Sequence, residues 1–417
     1  MKIIVAHPAQ QHSYRLATAL KKAGMLEKYV TTVYYKHGSL TQITSKILKG
    51  KFRRKAESRH CNELADKEVI QFCEGEGLIK LVALNINFLK KHYYKIKYHT
   101  ADRFARKVAR YAIRNNVDAV ITYDDSSPLL FEILKEKAPN ILRIMDMSSA
   151  NLLYLKKIYE QDMKIAPVFA ERMYKERSIC WNTEILNRVE REIKSTQRFL
   201  VPSKFVAKSL EYSGITSEQM FRCPYGVDVS EFYLKEYNSL LTKGIRPIRF
   251  IYVGGVKELK GISYLLEAFN ELSVGSAELT VVGNYNEMDQ DIAPYKKRVH
   301  FTGNILHSEV ANELRHADVF VFASLGEGLS LSTLEAAACG LPLIVTENSG
   351  VNDEMTEGVE GFVVPIQSKE ALKDKMQWFI NNPEMIETMG KAARKFALEY
   401  TWEAYYERIK SCFMEQE

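Results

Sequence analysis

The sequence predicts an α/β protein of two domains, each a parallel sheet with helices on both faces. Three observations predict this fold class. The chain has 417 residues, enough for two cores of about 200 residues each. Apolar residues make up 46% and charged residues 26%, as in folded globular proteins. Short strand-like runs alternate with helical patterns through both halves of the chain, which is typical of parallel sheets.

The first half opens with a strand, a helix and a second strand. Strand-like segments cover 2–6, 29–35, 118–122, 141–145 and 198–201, and helical patterns cover 13–23, 101–113, 129–137, 152–195 and 204–212. Residues 40–77 are polar, basic and poorly periodic, so we expect an insertion or mobile segment there. The first domain is predicted to span 1–228.

A second α/β series follows a polar stretch that contains Gly244 and Pro247 as breakers, which predicts a linker over 229–247. Strands are expected at 249–253, 278–282, 299–301, 318–322 and 341–345, and helices at 262–272, 309–315, 331–338 and 369–397, the last divided at 382–383. The second domain is predicted at 248–397. Residues 398–417 are predicted to form a C-terminal helix that packs back on the first domain.

Composition excludes several classes of protein. The start, MKIIVAHPAQQ, lacks the apolar stretch and cleavage site of a signal peptide, and no window holds about 18 uninterrupted apolar residues. The six cysteines are scattered without metal-ligand spacing. We therefore expect a cytoplasmic protein with reduced thiols that does not span a bilayer.

Charge is distributed unevenly along the chain. Residues 1–200 hold 37 Lys and Arg against 21 Asp and Glu, whereas residues 201–417 hold 21 against 31. The basic excess lies before residue 116, where 24 basic residues accompany 8 acidic ones. Such a field favours phosphates of nucleic acid, lipid headgroups or a charged substrate. Because no nucleic-acid recognition motif accompanies it, we expect no nucleic-acid partner.

The most informative stretch is SLGEGLSLSTLEAAACGLPLI at 324–344. A strand, a glycine-containing turn and a helix beginning near Leu331 place free amides of 331–333 at the turn, which is an anion site. Glu327 and Glu335 flank it. A nucleotide-sugar fits this layout, with its diphosphate at the helix start, its ribose on Glu335 and its sugar hydroxyls on Glu327. The alternative is an unremarkable pair of surface glutamates.

This stretch resembles the family-4 retaining glycosyltransferases of GT-B fold, whose signature is two glutamates separated by seven residues. Segments in matching order are VPS at 201–203, PYGVD at 224–228, YVG at 252–254, KG at 260–261, VVGN at 281–284 and FTGN at 301–304. The resemblance is strong over 185–397 and weak before it. It implies two Rossmann-like domains facing across a cleft, retention of anomeric configuration and metal-independent transfer.

The resemblance also implies site residues. Lys260 would neutralise the departing diphosphate and Glu327 would lie beside the reacting sugar, both as catalytic residues. The implied donor-binding residues are Gly254, Gly255, Lys257, Gly283, Asn304, Gly328, Leu329, Ser330, Leu331, Ser332 and Glu335. The family's arginine after the first glycine of this domain is replaced by Gly255. Lys257 is either its substitute or a solvated surface lysine.

The first domain departs further from the family pattern. The usual histidine near the donor sugar is absent from 143–148, where Asp146 is the nearest polar candidate for catalysis. The first loop lacks the usual glycines, and its Gln11 and His12 are candidates for contact with the donor, although a loop histidine is often solvated or capping. Asp124 and Asp125 look like a metal pair, but adjacent residues at a strand end point to opposite sides, so no metal site is expected.

These observations predict an enzyme that transfers a sugar from a UDP- or GDP-sugar to a glycan or lipid-linked acceptor, in bacterial surface polysaccharide or glycolipid assembly, without a cofactor. An epimerase-like enzyme of the same fold is the alternative, and a nucleic-acid-binding protein is a weaker one. Product analysis separates the two enzymes.

Basic clusters at 46–55 and 90–110 predict a peripheral site on an anionic membrane at its inner face. If 78–98 is helical, the apolar side chains at 78, 81, 82, 88 and 89 enter the interface while lysines contact headgroups. The alternative is a core helix followed by a solvated basic face.

Overall fold

Two parallel sheets, each with helices on both faces, form the molecule and confirm the predicted pair of Rossmann-like domains. The computed structural model describes residues 1–9, 12–47, 50–83, 86–237, 246–285 and 289–414. Gln11 and residues 238–245 of the predicted linker lie outside these ranges.

The first sheet has seven strands in the order β3-β2-β1-β4-β5-β6-β7. They are β1 Ile3–His7, β2 Leu26–Thr31, β3 Val69–Gln71, β4 Ala119–Tyr123, β5 Leu142–Asp146, β6 Arg198–Val201 and β7 Met220–Arg222. The central strands β1 and β4 are buried along their whole length. Continuous apolar runs of this kind are what a sheet covered on both faces requires.

Eleven helices are described in the first domain. They are α1 Ser13–Lys22, α2 Leu40–Ile47, α3 Gly50–Glu57, α4 Glu74–Ala83, α5 Asn87–Lys90, α6 Tyr93–Arg114, α7 Pro128–Lys137, α8 Leu152–Ile165, α9 Ala170–Glu176, α10 Thr183–Ser195 and α11 Lys204–Glu211. Side-chain caps begin several of them: Ser127, Asn151, Asn182 and Ser203 each accept an amide hydrogen bond.

The basic region is more regular at 40–77 and less regular at 78–98 than its sequence suggested. The described part of 40–77 contributes α2, α3 and the edge strand β3, which pairs with β2; its origin as an insertion stays a prediction. Residues 78–98 do not form one helix, since α4 ends at Ala83, α5 covers four residues and α6 begins at Tyr93. Ile86 has an extended backbone that separates α4 from α5.

The second sheet has six strands in the order β10-β9-β8-β11-β12-β13. They are β8 Ile248–Val253, β9 Ala277–Val282, β10 Val299–Gly303, β11 Val319–Phe322, β12 Leu343–Thr346 and β13 Gly361–Val364. The helices are α12 Ile262–Asn270, α13 His307–His316, α14 Leu331–Ala338, α15 Lys369–Asn381, α16 Met385–Leu398 and α17 Trp402–Met414. The carboxyl ends of β8 and β11 precede the predicted donor loops.

The chain crosses between the domains in two segments that contact each other. The first passes through Gly226 and Val227, and the second through Tyr400 and Thr401. The Val227 amide donates to the Tyr400 carbonyl oxygen at 2.7 Å, and a Cβ on Gly226 would lie 2.5 Å from the backbone nitrogen of Trp402. Only glycine permits this approach.

After the second crossing, α17 packs against α1 of the first domain. The Arg15 guanidinium lies 4.6 Å from the Trp402 ring centre and donates to the Tyr406 hydroxyl at 3.2 Å. The same helix brings the Cys412 sulfur to 3.2 Å from the Cys223 sulfur. Across the described ranges, none of the helices combines the length and apolarity needed to cross a bilayer.

Candidate active site

The end of β8 and the end of β9 approach each other through two glycines. The Gly254 amide donates to the Val282 carbonyl oxygen at 2.9 Å. Gly283 has a φ of +147°, and a Cβ on it would lie 1.9 Å from the Gly254 carbonyl oxygen. No other residue fits there, so the VVGN motif holds the backbone of the YVGG turn in place.

Lys260 and Glu327 form an ion pair at the carboxyl ends of β8 and β11. Gly261 adopts a left-handed conformation, and a Cβ on it would lie 1.9 Å from the Ala323 carbonyl oxygen. This close approach aims Lys260 at the turn after β11, where its Nζ lies 2.5 Å from Glu327 Oε1. The Ser324 hydroxyl donates to the same Oε1 at 2.6 Å. The two predicted catalytic residues of this domain therefore lie side by side.

Helix α14 begins at the predicted anion site, and one of its three first amides already has a hydrogen-bond partner. Ser330 caps the helix, and its Oγ accepts from the Thr333 amide at 3.3 Å. The expectation that the Thr333 amide is free was therefore wrong, because a serine at this cap position binds it. Within the part of the chain that the structure describes, the amides of Leu331 and Ser332 have no hydrogen-bond partner, so two donors remain for an anion.

Glu335, in the second turn of α14, is bound by a histidine that the sequence analysis missed. His307 Nε2 lies 3.1 Å from Glu335 Oε1, and His307 Nδ1 lies 3.3 Å from Glu231 Oε1. The hydrogen bond with Glu335 raises the pKa of His307 to about 9. The imidazolium thus joins Glu335, the residue predicted to bind the ribose, to Glu231 at the start of the predicted linker. No motif in the sequence joins residues 28 positions apart.

The remaining predicted donor residues surround this arrangement. A Cβ on Gly255 would meet nothing closer than the Lys257 side chain at 3.5 Å, so the exposed Lys257 folds back over the position where the family has arginine. Asn304 is exposed after β10, beside Gly303, whose carbonyl oxygen accepts from the Gly283 amide at 3.1 Å. The roles of these residues stay predictions, as does that of Gln11.

In the first domain, the two candidates Asp146 and His12 meet at the end of β5. His12 Nε2 lies 3.1 Å from Asp146 Oδ2, and Asp146 is buried. The imidazole also packs against Tyr225, with ring centres 4.1 Å apart and ring planes tilted by 43°, and forms an edge contact with Tyr123 at 5.2 Å. Burial raises the pKa of both tyrosines well above the ordinary value, so they remain neutral walls around the pair.

The loop after β5 carries this pair to the donor side of the cleft. A Cβ on Gly328 would lie 2.1 Å from the Ser148 carbonyl oxygen, so the Glu327 turn touches the loop two residues beyond Asp146. Asp124 positions that loop, since its Oδ1 accepts from the Ser148 amide at 2.9 Å and hydroxyl at 2.6 Å. The contact brings candidates from both domains to one place.

Asp124 and Asp125 do not act together. Asp124 binds the serine loop, whereas Asp125, with a left-handed φ of 61°, binds Lys97 and Tyr98. The Asp125 amide donates to Glu192 Oε2 at 3.2 Å, and burial raises the pKa of Glu192 well above its ordinary value. In the described ranges, no group of three or more potential ligands could hold a metal ion.

A cavity of about 280 Å³ lies behind this loop in the first domain. Its polar lining comes from Asp124, Asp125, Ser148, Ser149, Asn151, Arg177 and Glu192. It therefore adjoins the loop at 148–149, whose Ser148 faces Gly328.

Further contacts hold the two domains together away from the cleft. Glu176 Oε2 accepts from the Glu258 amide at 2.9 Å, and the Arg172 guanidinium donates to the Val256 carbonyl oxygen at 2.6 Å. The Tyr264 hydroxyl donates to Asp162 Oδ1 at 2.7 Å. Helix α9 of the first domain therefore fixes the turn that carries Lys260, and α8 binds the helix that follows this turn.

Solved structures share this fold across the whole chain. The sucrose-phosphate synthase of Thermosynechococcus elongatus aligns with a TM-score of 0.65 at 18% identity, over 100% of this chain and 99% of that one. Anabaena Alr3699/HepE, solved in complex with UDP, aligns with a TM-score of 0.62 at 12% identity over the full length of both. The fold is that of the GT-B glycosyltransferases.

Sequence comparison identifies the second domain more narrowly. Residues 242–396 match the family model of glycosyl transferases group 1. The matched range contains every predicted site residue of the second domain, including Lys260, Glu327 and Glu335.

Curated relatives match over longer or shorter stretches. Sulfoquinovosyl transferase SQD2 of Arabidopsis thaliana is 25% identical over 67% of this chain and 56% of its own length. The capsular polysaccharide biosynthesis glycosyltransferase CapM of Staphylococcus aureus is 29% identical over 36% of this chain and 43% of its own. The chain spans about half the length of the curated relatives it matches.

Proposed function

We propose that the protein is a retaining glycosyltransferase that moves a sugar from a UDP- or GDP-sugar to a glycan or lipid-linked acceptor. The observation that carries the proposal is the Lys260–Glu327 pair at 2.5 Å, placed where the Glu327 turn meets the loop after Asp146. A cation for a departing diphosphate and a carboxylate for a reacting sugar are then adjacent. The group 1 match and the GT-B fold support the same class.

In this proposal each side of the cleft has its own task. The free amides of Leu331 and Ser332 and the Lys260 ammonium take the charge that develops on the diphosphate. Glu335 accepts from ribose hydroxyls with the carboxylate oxygen that His307 leaves open. On the first-domain side, the His12–Asp146 pair faces the sugar, and an acceptor enters from the cavity lined by Asp124 and Glu192.

The neutralisation is assigned to protein groups, so the proposed transfer requires no metal. The acceptor class is supported by similarity to proteins of polysaccharide biosynthesis, among them the CapM protein. Surface polysaccharide or glycolipid assembly is therefore the proposed setting, with the enzyme at the inner face of a membrane.

A donor panel tests the proposal. UDP- and GDP-sugars are incubated with the protein and with glycan or lipid-linked acceptors, and nucleotide release is measured together with the anomeric configuration of the product. Acceptor-dependent release with retention supports the proposal. Release of a modified free sugar without acceptor would assign an epimerase-like activity instead, and inversion would exclude the retaining mechanism.

A further inference from the structure

Helix α2 turns its apolar side chains to solvent and its polar side chains to the protein. Leu40, Ile43 and Ile47 follow the spacing of one helical face and are all exposed. Thr41 and Ser45, on the opposite face, are buried. A helix on the surface of a water-soluble domain normally has the reverse arrangement, so this face indicates an apolar partner.

Hydrogen bonds fix α2 in this orientation. The amide and the hydroxyl of Thr41 donate to Glu74 Oε1 of α4 at 2.7 and 2.6 Å. The Ser45 hydroxyl donates to the Gln42 carbonyl oxygen of the same helix at 2.8 Å, so its hydrogen bond is satisfied where it is buried. Because Thr41 is bound to α4, α2 cannot rotate to bury its isoleucines without breaking the two bonds with Glu74.

Helices α4 and α5 extend the exposed apolar surface. A Cβ on Gly77 would lie 2.7 Å from Thr32 Oγ1, and the Lys80 ammonium donates to the Pro8 carbonyl oxygen at 2.8 Å, so these positions fix the inner side of α4. Its outer side chains are exposed, as is that of Phe88 in α5. We call the six exposed side chains the apolar face: Leu40, Ile43, Ile47, Ile79, Val82 and Phe88.

Basic residues outnumber acidic ones around most of the apolar face. Segments 40–56 and 84–98 together contain ten Lys and Arg and no Asp or Glu, whereas α4 between them carries Glu74 and Glu76. We call six exposed members with described side chains the basic rim: Lys46, Arg54, Lys55, Lys90, Lys91 and Lys95. Arg53 is also exposed but pairs with Glu57, and Lys97 and Arg103, also expected at a membrane, pair with Asp125 and Glu76.

We propose that the apolar face and the basic rim dock the first domain on an anionic membrane surface. Short helices with exposed apolar side chains enter the region between headgroups and acyl chains, while lysines bind lipid phosphates. A second copy of this chain is a poor occupant, because two identical basic rims would repel each other. The proposal rests on this surface alone and not on sugar transfer, so the two stand or fall separately.

Vesicle sedimentation tests the docking. The full chain is mixed with vesicles of phosphatidylcholine alone or of phosphatidylcholine with phosphatidylglycerol, and the bound fraction is measured. We expect binding only with phosphatidylglycerol, decreasing as salt rises, because the headgroup contacts are screened. The double variant Ile47→Asp with Phe88→Asp should bind about tenfold less tightly. Both side chains are more than 70% exposed, at 78% and 72%, so folding should persist, which thermal unfolding checks.

Matched control variants distinguish docking through the apolar face and basic rim from a general effect of the protein's charge. Val274→Asp, at an 87% exposed position of the second domain, should leave binding unchanged. Lys90, Lys91 and Lys95 changed to glutamate should abolish binding, whereas the same change at the exposed Lys297, Lys391 and Lys395 of the second domain should reduce it only slightly.

Three results would overturn docking: equal recovery with neutral and anionic vesicles, undiminished binding of the Ile47→Asp, Phe88→Asp variant, or a dimer in solution that this variant dissociates. An acidic protein as the occupant is indicated if vesicles of every composition fail to bind, and that outcome also rejects the proposal.

Discussion

The two faces of the cleft are built in opposite ways. On the second-domain face, glycines fix the backbone, and polar groups such as Lys260, Glu327 and the Leu331 amide sit at the ends of strands or at a helix start. On the first-domain face, polar groups are mostly bound to one another: Asp124 to its serine loop and Asp146 to His12. Burial raises the pKa of Asp124, as expected for a carboxylate inside the domain.

We infer from this difference that the second-domain face is arranged to bind a ligand and the first-domain face to support it. Asp124 accepts hydrogen bonds from the amide and hydroxyl of Ser148 and thereby orients the loop after β5. Glu327, which pairs with the Lys260 ammonium at the end of a strand, can exchange this partner when substrate arrives. Substitutions on the two faces should therefore fail differently, in turnover on one and in geometry on the other.

The largest expected effect is at the ion pair. Lys260→Ala should cost about 2–4 kcal/mol of transition-state stabilisation, comparable to the loss of one oxyanion donor, and Glu327→Ala should lower kcat more than it raises the donor KM. Steady-state kinetics with the preferred donor measure both. A Lys260→Ala rate within threefold of the parent, or equal changes in both parameters for Glu327→Ala, would contradict the assigned roles.

The contact between the faces comes next. Gly328→Ala should reduce turnover about 100-fold, because a Cβ there meets the Ser148 carbonyl oxygen and a displacement of about 1 Å separates reacting groups. Gly75→Ala in α4 is the control, since a Cβ there would meet nothing within 4 Å and the position lies outside the candidate site. If both alanine variants have the turnover of the parent, catalysis does not depend on the close contact between Gly328 and Ser148.

A smaller effect is expected where His307 holds Glu335. Glu335→Ala should raise the donor KM about tenfold with a lesser change in kcat, and His307→Asn about threefold at pH 7. The pKa of His307 is raised to about 9, so its support is complete below the unfolded value near 6.5 and is lost as the pH rises through about 9.

The parent and His307→Asn should therefore converge in donor KM above pH 9. Glu231→Gln removes the other carboxylate that raises the pKa of His307, so it should move the convergence to lower pH. A gap in KM that is constant from pH 6 to pH 10 would show that protonation of His307 plays no part.

The smallest expected effect is that of a chelator. Activity should persist in excess EDTA, because amides of α14 and Lys260 perform the neutralisation that a cation performs in metal-dependent transferases. Nucleotide release before and after EDTA measures this. Abolition that manganese reverses would reject the proposal for the second-domain face.

Much of the second domain was predictable from sequence, and less of the first. The apolar runs at β8, β9, β11 and β12 are continuous enough to recognise, and Glu327 and Glu335 stand in a spaced motif. The edge strands β3 and β7 were missed because three residues are too few to show a pattern, and β13 was missed although it is as long as β11 and β12. Helix α2 was missed because its few apolar residues, Leu40, Ile43 and Ile47, stand among polar and basic neighbours that do not mark a helical period clearly.

Contacts between residues that are distant in the sequence also limited what could be predicted from it. The sequence named His12 and Asp146 separately, but only the fold shows that they are paired, and nothing in the spacing of Glu335 indicates His307. The approach of Gly328 to Ser148 joins two domains, so no local pattern encodes it. Pairings that depend on tertiary contacts could therefore be identified only in the structure.

The paired crossing segments at Gly226–Val227 and Tyr400–Thr401 have a mechanical consequence. Two crossings side by side restrain the domains more than a single crossing would, because every relative motion must bend both backbones at once. A rotation about an axis through both crossings strains them least, so we expect any opening of the cleft to follow that rotation.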